Sequence, residues 1–460
     1  LADVGFKDSI RIRVYNAAHR EIAVTSYEMA RPDKRKYSEL MAALEINGEV
    51  VLFIATDEEK THTVYRVIVD PNSGQVNKEE KILSLKPLPK NEMYALWWGN
   101  LSISKAADSD DYAIVFCNDF QSDKIKEIGV LLFNKEHVET GRSFYQTAEK
   151  EFSALRLCNI RVIDHEKVSL LLIGSTWDDK RGDEGRKMFL ALMKKGSSSL
   201  SITKLNLPED NVPIEPQLYY NNYSKKLIVA AVCGGKKVDQ YLCFLDPETG
   251  KAAKIISYDF NDVFYEKGKD IYGRKYVFYG MPANFFVEKN GDFSIVYEEK
   301  GSEITGGGSH DYISDIIVAD FDKNGKLLNN YLVPRKVFIN TNGGFANNYI
   351  EFAYVKNNDK AYLFFNDFRE NIERLQNNKN PKQVVVVHDC DAFYFSLTGK
   401  EPMPSRKYLF RETDEKEEHI QSPFGVFVYD KENDLFITLR LNRDEKKRKK
   451  TVNVVWLKPQ

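Results

Sequence analysis

Residues 318–328 read VADFDKNGKLL, and their reading decides the fold. Asp320, Asp322, Asn324 and Gly325 reproduce the first half of a calcium loop, D-x-[DN]-x-[DN]-G. Such a loop needs a bidentate carboxylate at its twelfth position, because the ion takes about six to eight oxygen ligands. Counting from Asp320, that position is Tyr331, which cannot chelate. The flanks are strand-like: SDIIVAD alternates and is β-branched, and LLNNYLV comes after the turn. Two such runs around an Asp/Asn/Gly turn form a β-hairpin. The segment is a turn.

The turn recurs. VIVDPNSGQV (67–76), CFLDPETGKA (243–252) and YFSLTGKEP (394–402) repeat the order of apolar strand, polar turn, Gly and new strand. VLLFNKEHVE (130–139) and ALMKKGSSSL (191–200) do so more loosely. A second series sets a polar turn ahead of a strongly apolar strand. It reads INGEVVLFIA (46–55), DSDDYAIVF (108–116), DHEKVSLLLIG (164–174), YSKKLIVAAV (223–232), EKNGDFSIVY (288–297), NNDKAYLFF (357–365) and KENDLFITL (431–439). The two series alternate, and each returns about every 50–75 residues, a period that marks a repeat architecture.

Each period holds two hairpin turns and about four strands, the content of one β-propeller blade. The expected fold is all-β: a seven-bladed β-propeller of four-stranded antiparallel blades, one domain over residues 1–460. The blades fall at 29–88, 89–147, 148–206, 207–258, 259–334, 335–408 and 409–460. The seventh supplies SPFGVFVYD, DLFITLRLN and TVNVVWLK before Gln460, one strand short. A strand within residues 9–28, IRIRVYN or EIAVTSYEM, is expected to complete it in a 3+1 closure. Closing the ring that way removes two unpaired sheet edges, which invite aggregation.

Composition agrees: 12% aromatic and 42% hydrophobic residues, with 25 Tyr and 28 Phe, suit sheets packed face to face. Helical signals are few. KYSELMAALEI (36–46) is short enough to be a strand with its lead-in, and DFRENIERLQNN (367–378) is expected to form a helical turn within a loop. A net charge of −2, from 66 basic and 68 acidic residues, provides no global field to recruit nucleic acid or a membrane. The densest basic run, DEKKRKK (444–450), is read as the solvated loop between the second and third strands of the last blade. No run of about 18 apolar residues exists to span a bilayer. The chain opens on Leu1 rather than Met, consistent with a removed signal peptide or with a trimmed start, and offers no Cys for lipidation at that end.

Five cysteines, Cys117, Cys158, Cys233, Cys243 and Cys390, make an odd count without C-x-x-C spacing, against a zinc ribbon or thioredoxin-type site. Cys233 and Cys243 flank one loop symmetrically and are a candidate cross-strand disulfide, although free cysteines in sheets are mostly small buried hydrophobes, the favoured reading here.

Long connections gather on one face of the expected ring. They are NDFQSDKIKE (118–127), TWDDKRGDEGRK (176–187), EEKGSEITGGGSHDY (298–312), FNDFRENIERLQNNKNPKQ (365–383) and the inter-blade link ISYDFNDVFYEKGKDIYGRKYVFYGMP (256–282). Loops carry binding while a scaffold holds them. The candidate binding residues are therefore Trp177, Asp178, Arg181, Tyr265, Tyr272, His310, Tyr312, Phe368 and Arg374.

No catalytic constellation is complete. TGGGSHD (305–311) lacks the helix after it that a phosphate cradle needs, and consecutive residues Ser309, His310 and Asp311 cannot form a triad. VHDCD (387–391) puts His388 and Cys390 on one strand face and Asp389 and Asp391 on the other, short of a metal site. STWDDKRG (175–182) lacks the residue order of a sialidase Asp box. Carboxylates for glycoside cleavage would have to converge from separate blades, and Asp178, Asp259, Asp262, Asp311 and Asp315 are all available. In Trp97/Trp98 and Tyr219/Tyr220, one member of each pair belongs in the core; the other is free to pack or to act as a sugar platform.

SDIIVADFDKNGKLLNNYLVPRK, with NGG and NNDKAYLFFNDFREN after it, is similar to a segment of an uncharacterised family of secreted or periplasmic proteins of Bacteroidota. The shared features are strand-(D/N)-x-x-G-strand, then I/V-P-(K/R), then YFxFND, over residues 312–372. Val333-Pro334-Arg335 fills the middle position, and the residues after Arg335 depart from the usual charged pattern. The resemblance implies an exported envelope protein and brings no catalytic residues.

The resulting expectation is a non-enzymatic interaction propeller of the bacterial cell envelope, periplasmic or secreted. It would dock a protein partner, such as an outer-membrane transport or secretion complex, as a soluble subunit or plug, without cofactor, metal or nucleic acid. The alternative is a carbohydrate-active propeller, hydrolase or lectin, working with acidic and aromatic residues at the axial channel.

Overall fold

Strands such as EVVLFIATDE (49–58) carry apolar residues at successive positions because both of their faces are covered: Val51, Leu52, Phe53 and Ala55 are all fully buried. A computed structural model describes residues 2–5, 9–28, 38–58, 61–87, 101–118, 123–175, 186–207, 214–233, 239–273, 277–305, 308–339, 351–357, 360–371, 374, 377, 390–397, 406–410, 418–430, 433–444 and 449–458.

The described strands form eight antiparallel sheets. An N-terminal sheet holds β1 (Ala2–Gly5), β2 (Ser9–Tyr15) and β3 (Glu21–Tyr27). Sheet 1 is β4 (Ser38–Ile46), β5 (Glu49–Glu58), β6 (Thr61–Val69) and β7 (Val76–Pro87). Sheet 2 is β8 (Leu101–Lys105), β9 (Tyr112–Asn118), β10 (Glu127–Phe133) and β11 (Glu139–Gln146). Sheet 3 is β12 (Ala154–Ile163), β13 (Lys167–Ser175), β14 (Arg186–Lys194) and β15 (Ser201–Leu205). Sheet 4 is β16 (Ile214–Asn221), β17 (Lys226–Cys233), β18 (Asp239–Leu245) and β19 (Ala252–Asp259). Sheet 5 is β20 (Met281–Val287), β21 (Phe293–Thr305), β22 (Gly308–Phe321) and β23 (Leu327–Val333), with β24 (Val337–Ile339) beside β22. Sheet 6 is β25 (Ala353–Asn357), β26 (Lys360–Asp367), β27 (Asp391–Ser396) and β28 (Arg406–Tyr408). Sheet 7 is β29 (Glu418–Gln421), β30 (Val428–Asp430), β31 (Leu435–Asp444) and β32 (Lys449–Leu457).

Period-two alternation then builds the radial stack. On β9, Tyr112, Ile114 and Phe116 meet Val51, Phe53 and Ala55 of sheet 1, while Ala113, Val115 and Cys117 meet Val168, Leu170 and Leu172 of sheet 3. The same device joins sheets 3 and 4 (Leu190 with Val229), 4 and 5 (Phe244 with Ile295), 5 and 6 (Val318 with Leu363), and 6 and 7 (Phe364 with Phe436). On the other side of sheet 1, Leu52 and Ile54 pack on Ile10 and Ile12. Four-stranded antiparallel sheets sharing successive faces are the blades of a β-propeller.

The closure differs from the expected 3+1 blade. β2 has both edges occupied, by β1 and β3, so residues 9–28 make a sheet of their own instead of a fourth strand. In sheet 7, β29 and β30 lie on the same side of β31, interrupted by a 3-10 turn at Phe424–Val426, and β32 lies on the other. The N-terminal sheet stands between sheets 1 and 7 and touches the latter through Trp456.

The recurrent turns work by one chemistry. Asp70 Oδ1 accepts the N–H groups of Asn72 and Ser73, and Asp246 Oδ1 those of Glu248 and Thr249. Gly74 and Gly250 come next, at φ 70° and 69°. In the opening segment Asp322 Oδ1 takes Asn324 and Lys326, and Gly325 stands at φ 87°. Asp320 is in the strand, where it accepts Ser294 Oγ at 2.5 Å and Lys356 Nζ at 3.0 Å. Within KYSELMAALEI, Ser38–Ile46 is strand β4, and Glu370, Asn371 and Arg374 are helical, as expected of the short turn there.

Two further readings meet the structure, the candidate disulfide and the long link. Cys233 pairs with Asp239 and Cys243 with Val229, so the two cysteines are not opposite each other and remain reduced. Burial pushes the Cys243 thiol up to about 12. The link at 256–282, expected as loop, contains a helix, α1 (Phe260–Tyr272).

Candidate functional site: the face over sheets 4 to 6

α1 begins where Asp259 accepts the N–H groups of Asn261 and Asp262, and ends at Gly273 in the left-handed region at φ 65°. Its buried side, Phe260, Phe264, Gly268 and Ile271, completes the core between sheets 4 and 5. Polar anchors fix the outer part. Lys267 Nζ donates to Asn330 Oδ1 at 2.6 Å, Tyr272 Oη to Asp315 Oδ1 at 2.7 Å, and the Phe278 N–H to Asn261 Oδ1 at 2.9 Å. Exposed along α1 are Asp262, Tyr265, Glu266, Lys269 and Asp270. Val277 and Tyr279 are exposed beyond it, Tyr279 at 52%.

Beneath this layer lies a chain of buried charges. Asp315, 4% exposed, also accepts the Arg335 N–H at 3.0 Å. Arg335 is wholly buried and donates Nη1 to Glu298 Oε1 at 3.0 Å. Burial lowers its pKa, and Glu298 and Asp367 oppose that. Its guanidinium stacks over Phe365, which Arg406 also faces, at 5.1 and 5.6 Å. Arg406 pairs with Asp367, whose Oδ1 takes the Phe368 N–H and Asn371 Nδ2. Asp391 then links sheets 6 and 7, accepting Arg369 and the Ile420 N–H at 2.9 Å, with His419 Nδ1 at 3.3 Å. Glu298 pairs with Arg335, Asp367 with Arg406, and Asp391 with Arg369, while Asp315 is held by a hydroxyl and a backbone N–H, so the chain clamps the blades together.

Glu299 stands apart. At this position β21 and β22 shift register: Glu298 pairs with Ile316 and Lys300 with Ile313, leaving one residue opposite Ser314 and Asp315. The extra residue of this bulge is on β22, and opposite it the Glu299 carboxyl hydrogen-bonds Ser314 and the Tyr279 N–H, contacts that favour its ionised form. Burial, with Asp315 adding to it, pushes its carboxyl up to about 7.

Of the candidates from sequence, Tyr265 and Tyr272 lie on α1, one exposed and one anchoring. Phe368 and Arg374 are half-buried near Asp367 and on the short helical turn. His310 and Tyr312 lie on β22 opposite Glu303 and Gly301; their side chains, with Trp177, Asp178, Arg181, His388 and the Trp97/Trp98 pair, lie outside the described residues. Tyr219 and Tyr220 are both buried, on opposite faces of β16, which makes both packing residues. Asp259 is a helix cap and Asp262 lies in the first turn of α1. Sequence reasoning missed Glu298, Glu299, Arg335 and Arg406. The signals were an adjacent Glu pair at a strand end and isolated arginines after strands.

No family model matches the chain, and no curated protein does. Among solved structures, it is similar to a protein of unknown function from Bacteroides caccae, at 11% identity and TM-score 0.28, covering 73% of this chain and 93% of that one. It is also similar to a neuraminidase-like protein from A/bat/Guatemala/164/2009, at 10% identity and TM-score 0.35, covering 80% and 88%. The β-propeller domain of the Trilobed protease from Pyrococcus furiosus matches at 12% identity and TM-score 0.26, covering 78% and 98%. At such values nothing about activity passes to this chain, and the propeller assignment stands on its own strand pairing and shared cores.

Proposed function

We propose that this chain is a protein-interaction propeller of the bacterial cell envelope, docking a partner's basic surface through α1 and the face around it. The observation that carries the reading is the outward stripe of α1. Asp262, Glu266 and Asp270 succeed one another at four-residue spacing on the exposed side. Like charges so spaced destabilise a helix, and Asp270 in the last turn opposes the helix dipole. Exposed Tyr265, Val277 and Tyr279 flank the stripe, the aromatic content typical of interface hot spots. The clamped charges beneath keep this surface preorganised. The envelope location, periplasmic or secreted, and an outer-membrane complex as partner rest on the resemblance over residues 312–372.

Purification from native envelopes tests this. The wild-type chain should co-elute with a stoichiometric partner that high salt releases. The D262K/E266K/D270K variant, with unchanged unfolding, should elute alone. Retention of the partner by that variant overturns the reading, as does a monomer stabilised by glycans, the behaviour of a carbohydrate-active propeller.

A further inference from the structure

The first strands of successive sheets neighbour one another: β12 touches both β8 and β16, and β16 touches β20. They are the inner strands of the ring, where a propeller keeps its central channel. On β12, Arg156, Asn159 and Arg161 pair across the ladder with Ile173, Leu171 and Ser169, so all three share one face, with the bulge at Cys158 keeping them in step. Arg156 is exposed and Arg161 half-buried. Among the described residues neither arginine has a carboxylate within salt-bridge distance. Asp164, just beyond β12, pairs instead with Lys225 at 3.6 Å.

Polar atoms without partners gather around Arg161. Its Nη1 donates to the Ile160 carbonyl at 2.7 Å and its guanidinium lies over the Tyr219 ring at 5.5 Å, which leaves the Nε–Nη2 edge free. Asn159 Nδ2 donates to Gln217 Oε1 of β16 at 2.6 Å, and Asn159 Oδ1 is buried without a hydrogen bond. Tyr219 Oη and Ser169 Oγ are in the same condition, in side chains 4% exposed and wholly buried. Interiors ordinarily pair such atoms. Phe285 of β20 stacks on Tyr219 at 4.3 Å, planes 10° apart, which provides an apolar wall beside the polar groups. We propose that Arg161 anchors a binding site in the axial channel for the carboxylate of a small organic acid. The free edge of a guanidinium matches the two oxygens of a carboxylate. Asn159 Oδ1 would accept from a hydroxyl or ammonium on the acid, and Arg156 adds positive potential along the same face. Burial lowers the Arg161 pKa, opposed by Tyr219, so an anion there would relieve a charge the protein itself leaves without a counter-ion. Arg161 and Phe285 lie near the β12–β13 and β20–β21 turns, whereas α1 leads into β20 from its other end. The site is therefore separate from the docking face and stands without that reading.

Titration calorimetry on the isolated chain, at constant ionic strength, tests the site with lactate, succinate, benzoate and inorganic phosphate. At least one of the carboxylates should bind with single-site stoichiometry and more tightly than phosphate. R161K keeps the charge but loses the fork, and should raise the Kd of that acid about tenfold. R161Q, which loses both, should raise it further; where R161Q fails to fold, R161K carries the test. Absence of binding by all three acids overturns the proposal, and this needs no variant. Equal binding of phosphate overturns it too, as does an R161K chain that holds the acid as tightly as the wild type.

Discussion

His19 lies flat on Trp456, ring centroids 4.6 Å apart and planes 8° from parallel, while Tyr15 meets the same indole edge-on at 5.2 Å. His19 sits in the turn between β2 and β3 at φ 60°, so the turn presents its ring to β32. Among the described residues no ladder of hydrogen bonds joins the N-terminal sheet to sheet 7, so these rings carry the seam. W456A should cost about 2 kcal/mol, less than a fully buried Trp because the indole is half-exposed. Limited proteolysis should then cut within residues 9–28 before the rest of the chain. Chemical denaturation measures the first effect; an unchanged midpoint with an uncut N-terminus would place the closure elsewhere.

The Asp320–Gly325 segment predicts indifference to calcium. Asp320 is held by Lys356 and Ser294, and Asp322 by two backbone N–H groups, so neither offers a free carboxylate. Calcium should leave the unfolding temperature unchanged. G325A should cost about 2 kcal/mol, because the residue needs its left-handed backbone and a Cβ would lie 2.7 Å from Ile256 Cδ1 and 2.8 Å from Phe244. A calcium-induced rise in melting temperature would reinstate the ion loop.

Legibility in the sequence tracked locality. The four-stranded antiparallel sheets are readable because a strand covered on both faces must be apolar throughout, and because Asp70, Asp246 and Asp322 cap turns within their own few residues. The closure is not: IRIRVYN alternates in the same way whether it joins sheet 7 or forms its own sheet, and nothing local selects its partner. α1 had its signals in Asp259, Gly273 and the spacing of Phe260, Phe264 and Ile271. Gly268 and the dense Tyr and charges masked them. Tyr265 and Tyr272 emerged from link length, whereas Glu299 acquires its chemistry only across a bulge from Asp315.

Acid should weaken the joint between sheets 6 and 7. Burial raises the Asp391 carboxyl, but hydrogen bonds from His419, Arg369 and the Ile420 N–H outweigh it, leaving the group below its ordinary value. A depressed carboxylate stabilises above its unfolded pKa of about 3.9, and that stabilisation is lost as pH falls through the folded value. D391N should therefore lose about 3 kcal/mol at neutral pH and show a shallower acid-unfolding curve than the wild type. Parallel curves displaced by a constant amount would show that Asp391 acts by shape alone.

The Glu298–Arg335 pair should behave as a unit. Arg335 is wholly buried and Glu298 only 5% exposed, so R335M leaves a carboxylate short of its partner in the interior, and should cost about 3–5 kcal/mol. Lys300, 3.5 Å from Glu298 but itself half-exposed, can offset part of that. In the double variant E298M/R335M neither charge needs solvation, and two flexible thioethers can pack against Phe365 in place of the guanidinium. The double variant should therefore be more stable than R335M alone, which a double-mutant cycle from urea unfolding would read as a coupling of about 2 kcal/mol. Simple additivity of the two single losses would mean that Asp367, which also acts on the Arg335 guanidinium, carries the clamp without Glu298.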